Sequence, residues 1–242
     1  MMRLDKFLAT LGLGSRKEVK KLITSGQIQV NDETVTKVNH GVDEDHDQVA
    51  YLGQELVYQA YYYVMLNKPD GLVSATEDKM HETVIDWVAL DFDHVDLFPV
   101  GRLDIDTTGL LLLTNNGQLA HQLLSPKKHV AKTYQALVTG QVSEVDIAAF
   151  AAGIRLKDFT AQAAELEILD YDPDKDQSLT KVTIHEGKFH QVKRMFLARD
   201  HEVLHLHRVS MGPLVLDPDL DLGQYRELTA AECDLLRPYG LE

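Results

Sequence analysis

Three stretches of the sequence hold side chains able to do chemistry. The first is Gly101-Arg-Leu-Asp-Ile-Asp-Thr-Thr-Gly109, where two acids, Asp104 and Asp106, stand two residues apart. They fall between a strand end at Phe98-Pro-Val100 and the apolar run Gly109-Leu-Leu-Leu-Leu-Thr114, which has the character of a buried strand. A loop between packed strands is where a rigid scaffold presents a reactive group. A plain turn, with Asp and Thr side chains bonded to their own backbone, accounts for the same spacing. The second stretch is Glu186-Gly-Lys-Phe-His-Gln-Val-Lys-Arg-Met-Phe196. A strand ends near His185 and a helix starts near His190, with Val192, Met195 and Phe196 as its core stripe. Lys193 and Arg194 lie beside that stripe near the helix N-terminus. Two bases and free amide donors make a seat for a carboxylate or phosphate, although a solvated basic face has the same pattern. The third is Lys132-Thr-Tyr134, on a strand whose alternation from Thr133 to Thr139 puts Tyr134, Ala136 and Val138 on one face. A tyrosine so placed is more often core than catalyst.

The elements that must position these groups follow from periodicity and punctuation. Leu4, Phe7, Leu8 and Leu11 repeat at helical spacing, and Gly12 and Gly14 stop that helix. Ser15-Arg-Lys-Glu18 is a capping box opening a second helix, with Val19, Leu22 and Ile23 as its stripe and Gly26 at its end. Ile28 and Val30 form a short strand that turns at Asn31-Asp32 and returns through Val35. Residues 39–60, with the acidic cluster Asp43-Glu-Asp45 and Asp47, are expected to be one last strand and a linker. Tyr62-Tyr-Val-Met-Leu66 is predicted as a strand broken by a turn at Lys68-Pro69-Asp-Gly71. Beyond it strands and helices interleave, with helices after Gly117, after Ser143 and after Thr229, the last opened by a capping box to Glu232. The fold class expected is α+β: a small basic N-terminal domain over residues 1–59, then a larger domain over 60–242 with a mixed, largely antiparallel sheet flanked by helices.

Composition narrows the function classes. The chain of 242 residues carries a net charge of −14, yet residues 1–30 sum to +4. A basic module on an acidic chain points to a local phosphate contact rather than a sticky surface. The single cysteine, Cys233, excludes an intrachain disulfide and a cysteine-rich zinc site. No apolar run approaches a membrane span, and no basic-then-apolar leader opens the sequence, so the cytoplasm is expected. His201, His205 and His207 lack a cysteine or carboxylate partner spaced for zinc.

Two family resemblances give these stretches roles. Arg3-Leu-Asp-Lys-Phe-Leu8, Ser15-Arg16 and Ser25-Gly-Gln-Ile-Gln-Val-Asn31 resemble the S4 RNA-binding domain. The resemblance implies that Arg3, Arg16, Lys17, Lys20 and Lys21 contact RNA. Met65-Leu-Asn-Lys-Pro-Asp-Gly71, Phe98-Pro-Val-Gly-Arg-Leu-Asp104, Lys132-Thr-Tyr134 and Glu186-Gly-Lys-Phe-His-Gln-Val-Lys-Arg-Met195 resemble, in family order, the pseudouridine synthase superfamily and its branch with an N-terminal S4 domain. Within that branch, Asp104-Ile-Asp-Thr-Thr-Gly109, His121 and Ser125-Pro-Lys-Lys-His129 are similar to the type that modifies small-subunit (16S) ribosomal RNA. What the resemblance implies is isomerisation of a uridine flipped from the RNA stack. Asp104 is then the catalytic carboxylate, as nucleophile or as base; Tyr134 stacks on the base; Lys193, where many relatives have arginine, pairs with Asp104. Arg102, His190 and Arg194 are expected on the RNA. The implied chemistry needs no metal and no cofactor, and a monomer is expected with ribosomal RNA as its partner. Three rivals stand beside this reading: the same reaction on large-subunit (23S) RNA, a non-catalytic RNA-binding assembly factor, and a sugar hydrolase.

Overall fold

The computed structural model describes residues 1–241, and the chain divides into two units, Met1–Tyr62 with Val88–Asp96, and Tyr63–Trp87 with the chain from Leu97 onward. In the first unit the helices Leu4–Thr10 and Arg16–Thr24 bury Leu4, Phe7, Leu8, Val19 and Ile23 against Ile28, Val30, Val42 and Val49. The expected capping box forms: the Ser15 amide donates to Glu18 Oε2 at 2.8 Å, and the Glu18 amide donates to Ser15 Oγ at 3.4 Å. Asn31 and Asp32 both take positive φ, 52° and 66°, as a tight two-residue hairpin turn with right-handed strand twist requires. That turn joins Ile28–Val30 to Glu33–Thr34. The sequence reading needs correction after it. Residues 39–60 hold three short strands, Gly41–Val42, Val49–Tyr51 and Gln54–Leu56, rather than one. The acidic cluster is the turn between two of them, with Asp47 accepting the amide of Asp43 and Asp43 accepting that of Asp45. Strands of two or three residues are too short to show alternation, which is why the pattern misses them.

The second unit is built on a nine-stranded sheet. Its main order is Glu165–Asp172, Gln177–Ile184, Lys132–Thr139, Val203–Met211, Thr107–Thr114, Tyr63–Lys68 and Tyr225–Glu227. Every pairing is antiparallel except one: Val203–Met211 runs parallel to Thr107–Thr114, over Leu206↔Thr107, His207↔Thr108 and Arg208↔Gly109. All eight residues of Thr107–Thr114 are buried, which explains an apolar run with no alternation. At Gly109 (φ 102°) a Cβ would stand 2.3 Å from the carbonyl oxygen of Arg208, so only glycine lets these two strands approach. The helix Gly117–Leu124 lays Leu119, Ala120 and Leu123 on Met65, Val100, Leu110, Leu112 and Met211. Its first turn is capped by Asn116 Oδ1, which accepts from the Leu119 amide at 3.1 Å. The helices Glu144–Ala152 and Ala230–Leu236 start at Ser143 and Thr229. Tyr63–Lys68 runs two residues further than expected, so Lys68 ends a strand instead of opening a turn.

Candidate active site

Asp104 lies in the loop between Phe98–Pro99 and Thr107–Thr114, and the fold fixes that loop from beneath through its backbone. Ser74, itself buried, donates from Oγ to the Leu103 carbonyl at 2.9 Å and accepts the Leu103 amide at 3.0 Å, bracketing the residue before Asp104. The Thr107 amide donates to the Asp104 carbonyl at 3.0 Å, and the Gly71 amide to the Ile105 carbonyl at 3.0 Å. Lys68 is fully buried and drives its ammonium into the same loop, donating to the carbonyls of Pro69, Ile105 and Thr107 at 3.0–3.1 Å. Burial lowers its pKa to about 8, with Asp70, Asp106 and Asp104 pulling the other way. A lysine hidden to hold three carbonyls is a structural clamp on the acid-bearing turn.

The helix Gln191–Leu197 brings the basic side chains to this loop. Lys193 Nζ stands 2.6 Å from Asp106 Oδ1 and 3.4 Å from Asp104 Oδ2, and His190 Nε2 stands 3.6 Å from Asp104 Oδ1. The hydrogen bond therefore goes to Asp106, whose pKa it lowers, and Asp104 has the Lys193 ammonium and the His190 ring at longer range only. That leaves the Asp104 oxygens open to a ligand while keeping positive charge beside them. His190 takes a left-handed backbone (φ 50°) at the N-cap and stacks on Phe189 at 3.7 Å. A cavity of about 130 Å³ opens beside Asp104, lined among others by Arg102, Tyr134, Lys132, Lys193 and Arg208. Tyr134 is buried in its wall, and Arg102 is exposed.

Other residues singled out in the sequence lie elsewhere. Arg194 is committed to Asp158 as a close ion pair, and it also faces the Phe159 ring. Arg3 grips Asp5 through Nε and Nη2 at 3.0 and 2.9 Å. Arg16, Lys17, Lys20 and Lys21 are exposed on the first unit. His201 Nδ1 meets the Thr139 carbonyl, and His207 Nδ1 meets Thr108 Oγ1. Among the described residues no group of three His, Cys, Asp or Glu is arranged to hold a metal, and no helix is long and apolar enough to cross a membrane. Sequence reasoning gave no role to Lys68, Ser74 or Arg208. Lys68 had a signal, a lysine directly after an apolar strand, but Pro69 and Gly71 drew it into a turn.

The comparison with known proteins agrees with this geometry. Residues 62–198 match the RNA pseudouridylate synthase family, and residues 2–49 match the S4 domain. The chain belongs to the RNA pseudouridylate synthase family, whose members are isomerases acting on RNA, and it carries an S4 RNA-binding domain. It is 45% identical to an uncharacterised RNA pseudouridine synthase of Bacillus subtilis (strain 168), over 97% of this chain and 98% of that one. It is 41% identical to ribosomal small subunit pseudouridine synthase A of Escherichia coli (strain K12), over 96% and 98%. Ribosomal large subunit pseudouridine synthase B of Bacillus subtilis (strain 168) is 38% identical over 98% and 96%. A crystal structure of a pseudouridylate synthase, 38% identical, superposes with a TM-score of 0.66 over 98% of this chain and 100% of that one.

Proposed function

We propose that this chain converts a specific uridine of small-subunit ribosomal RNA to pseudouridine, with Asp104 as the catalytic carboxylate. The observation that carries the reading is Asp104 at a cavity walled by Tyr134, its oxygens flanked by Lys193 and His190 yet taking no short hydrogen bond. A uridine in a stack cannot exchange its N1 bond for a C5 bond, so the nucleotide must leave the stack and enter such a cavity. Asp104 acts on the ribose side of the broken bond. The Lys193 ammonium stands beside the Asp104 carboxylate, and Asp106 holds Lys193 in place. Tyr134 supplies the face on which the base stacks. Arg102 and His190 meet the surrounding RNA, and the exposed bases Arg16, Lys17, Lys20 and Lys21, with Arg3, give the S4 unit its phosphate contacts. In this reading it acts as a monomer, in the cytoplasm where ribosomal RNA is made.

The small-subunit assignment draws on relatives named for that RNA, of which the Escherichia coli protein is one. The relative named for the large subunit supports a second reading, the same reaction on large-subunit RNA. The test is release of tritium from carbon 5 of uridine in each purified ribosomal RNA, and in small ribosomal particles. Release from small-subunit RNA that vanishes in Asp104→Ala is expected. Release from large-subunit RNA alone moves the assignment there. No release from any substrate leaves RNA binding as the function.

A further inference from the structure

Three buried side-chain atoms have no hydrogen-bond partner among the described residues, and two of them, Nη2 of Arg208 and Oγ1 of Thr107, belong to residues lining the cavity beside Asp104. Arg208 is only 2% exposed, and its Nε donates to the Leu110 carbonyl at 2.8 Å, which fixes the guanidinium. Strand register sets Arg208 opposite Tyr134, and Lys132 lies two residues before Tyr134 on the same strand. Among the described residues neither Arg208 nor Lys132 is paired with a carboxylate; burial and the charge of Arg208 together lower the pKa of Lys132. A buried donor left without a partner loses its hydration with no return, the more so when it is charged. Two largely buried cations lining one cavity, neither in an ion pair, call for a ligand that carries electron-rich oxygen to them.

Resting on the isomerisation proposed above, we infer that Arg208 is a substrate-reading residue, donating from Nη2 to a carbonyl oxygen of the flipped uracil. The floor of the cavity suits a base and not a phosphate, because the RNA backbone stays at the mouth, where the exposed Arg102 stands. Thr107 Oγ1 is a hydroxyl able to accept the N3–H of the same uracil edge. The bond gains strength during the reaction. When C1′–N1 breaks, its electron pair stays on N1 and spreads onto the two carbonyl oxygens. The base turns, C5 bonds to C1′, the C5 proton leaves to solvent and N1 takes one up, so atoms and charge balance. Arg208 and the neighbouring charge of Lys132 therefore hold the detached base at its most anionic, the role of a preorganised donor.

The test replaces the target uridine with 2-thiouridine or 4-thiouridine, each tritiated at carbon 5, and reads single-turnover tritium release. Sulfur accepts hydrogen bonds poorly. Wild-type protein is expected to react about 10-fold more slowly on one of the two thio substrates, and Arg208→Met to lose that discrimination. On uridine, Arg208→Met is expected to slow about 100-fold with RNA affinity nearly unchanged, and Arg208→Lys to slow less. The thio ratio within one preparation does not depend on how much of a variant is folded. A ratio equal in wild type and Arg208→Met overturns the inference, as does a loss seen only in RNA affinity. A wild-type chain inactive on every uridine RNA would overturn the proposed reaction itself, which the uridine arm distinguishes.

Discussion

Replacing Lys68 by methionine tests the idea that the Asp104 loop is held from below by one buried charge. Methionine keeps the stem and removes the ammonium. Three carbonyls lose a charged donor; that of Ile105 keeps the Gly71 amide, whereas those of Pro69 and Thr107 lose more. Each such loss costs about 1–3 kcal/mol, and relief of the ammonium's own desolvation returns part, so a net loss near 3 kcal/mol is expected at pH 7. That is a large share of the stability of an ordinary domain without abolishing the fold. A loop displaced by an ångström loses about 100-fold in rate, so turnover should fall on that order while RNA affinity holds. Urea unfolding and single-turnover tritium release measure the two effects. The pH profile gives a sharper check. The folded pKa is about 8 and lysine in an unfolded chain titrates near 10.4. Between those values the unfolded chain binds a proton that the folded chain has lost, so wild-type stability gains on Lys68→Met as pH rises through that window. A variant within about 0.5 kcal/mol of wild type and of normal turnover would refute the clamp. A flat or falling difference from pH 8 upward would show that the folded-state pKa of Lys68 is not lowered.

Ser74→Ala removes both bonds to the Leu103 backbone; turnover should drop about 10-fold with KM unchanged, and an unchanged turnover would show that Lys68 alone suffices. Glu232, held by the Arg226 fork at 2.7 and 2.8 Å, has its pKa lowered to about 2. Its contribution is present above the ordinary carboxylate range and lost as pH falls toward 2, so Glu232→Gln should cost about 2 kcal/mol at pH 7 and nothing near pH 2 in urea melts. Changing Lys17, Lys20 and Lys21 together to alanine should raise KM and flatten the salt dependence of RNA binding by about 2–3 in log–log slope, leaving turnover at saturating RNA intact. An equal loss of turnover would place those lysines in the chemistry.

Much of the frame was legible because its signals are local. The capping boxes at Ser15 and Thr229, the apolar run before Thr114 and the core stripe of Gln191–Leu197 each follow from side chains a few residues apart. Asp104, Tyr134 and Lys193 were found through their motifs, and the structure brings all three to one cavity. The partner of Lys193 was not legible. Its contest between Asp104 and Asp106 is settled by how a loop turns, and Asp106, to which the motifs assign no role, takes the shorter contact. Ser74 and Arg208 left no signal, because each acts on backbone or cavity brought close by strand pairing across long stretches of chain. The short strands between residues 39 and 60 were lost to brevity.

The parallel pairing of Thr107–Gly109 beside Leu206–Arg208 has a consequence for when the site comes into being. It joins segments about a hundred residues apart, and closing so long a loop is slow compared with forming the hairpins on either side. Asp104, Tyr134 and Lys193 all leave the ribosome before Arg208 does. During synthesis the Arg208 side of the cavity is delivered late, so a nascent chain can display Asp104 without the surface proposed to seat a nucleotide against it. Catalytic competence should therefore arrive in a single late step, and the rate of that step sets the lag between making the chain and using it.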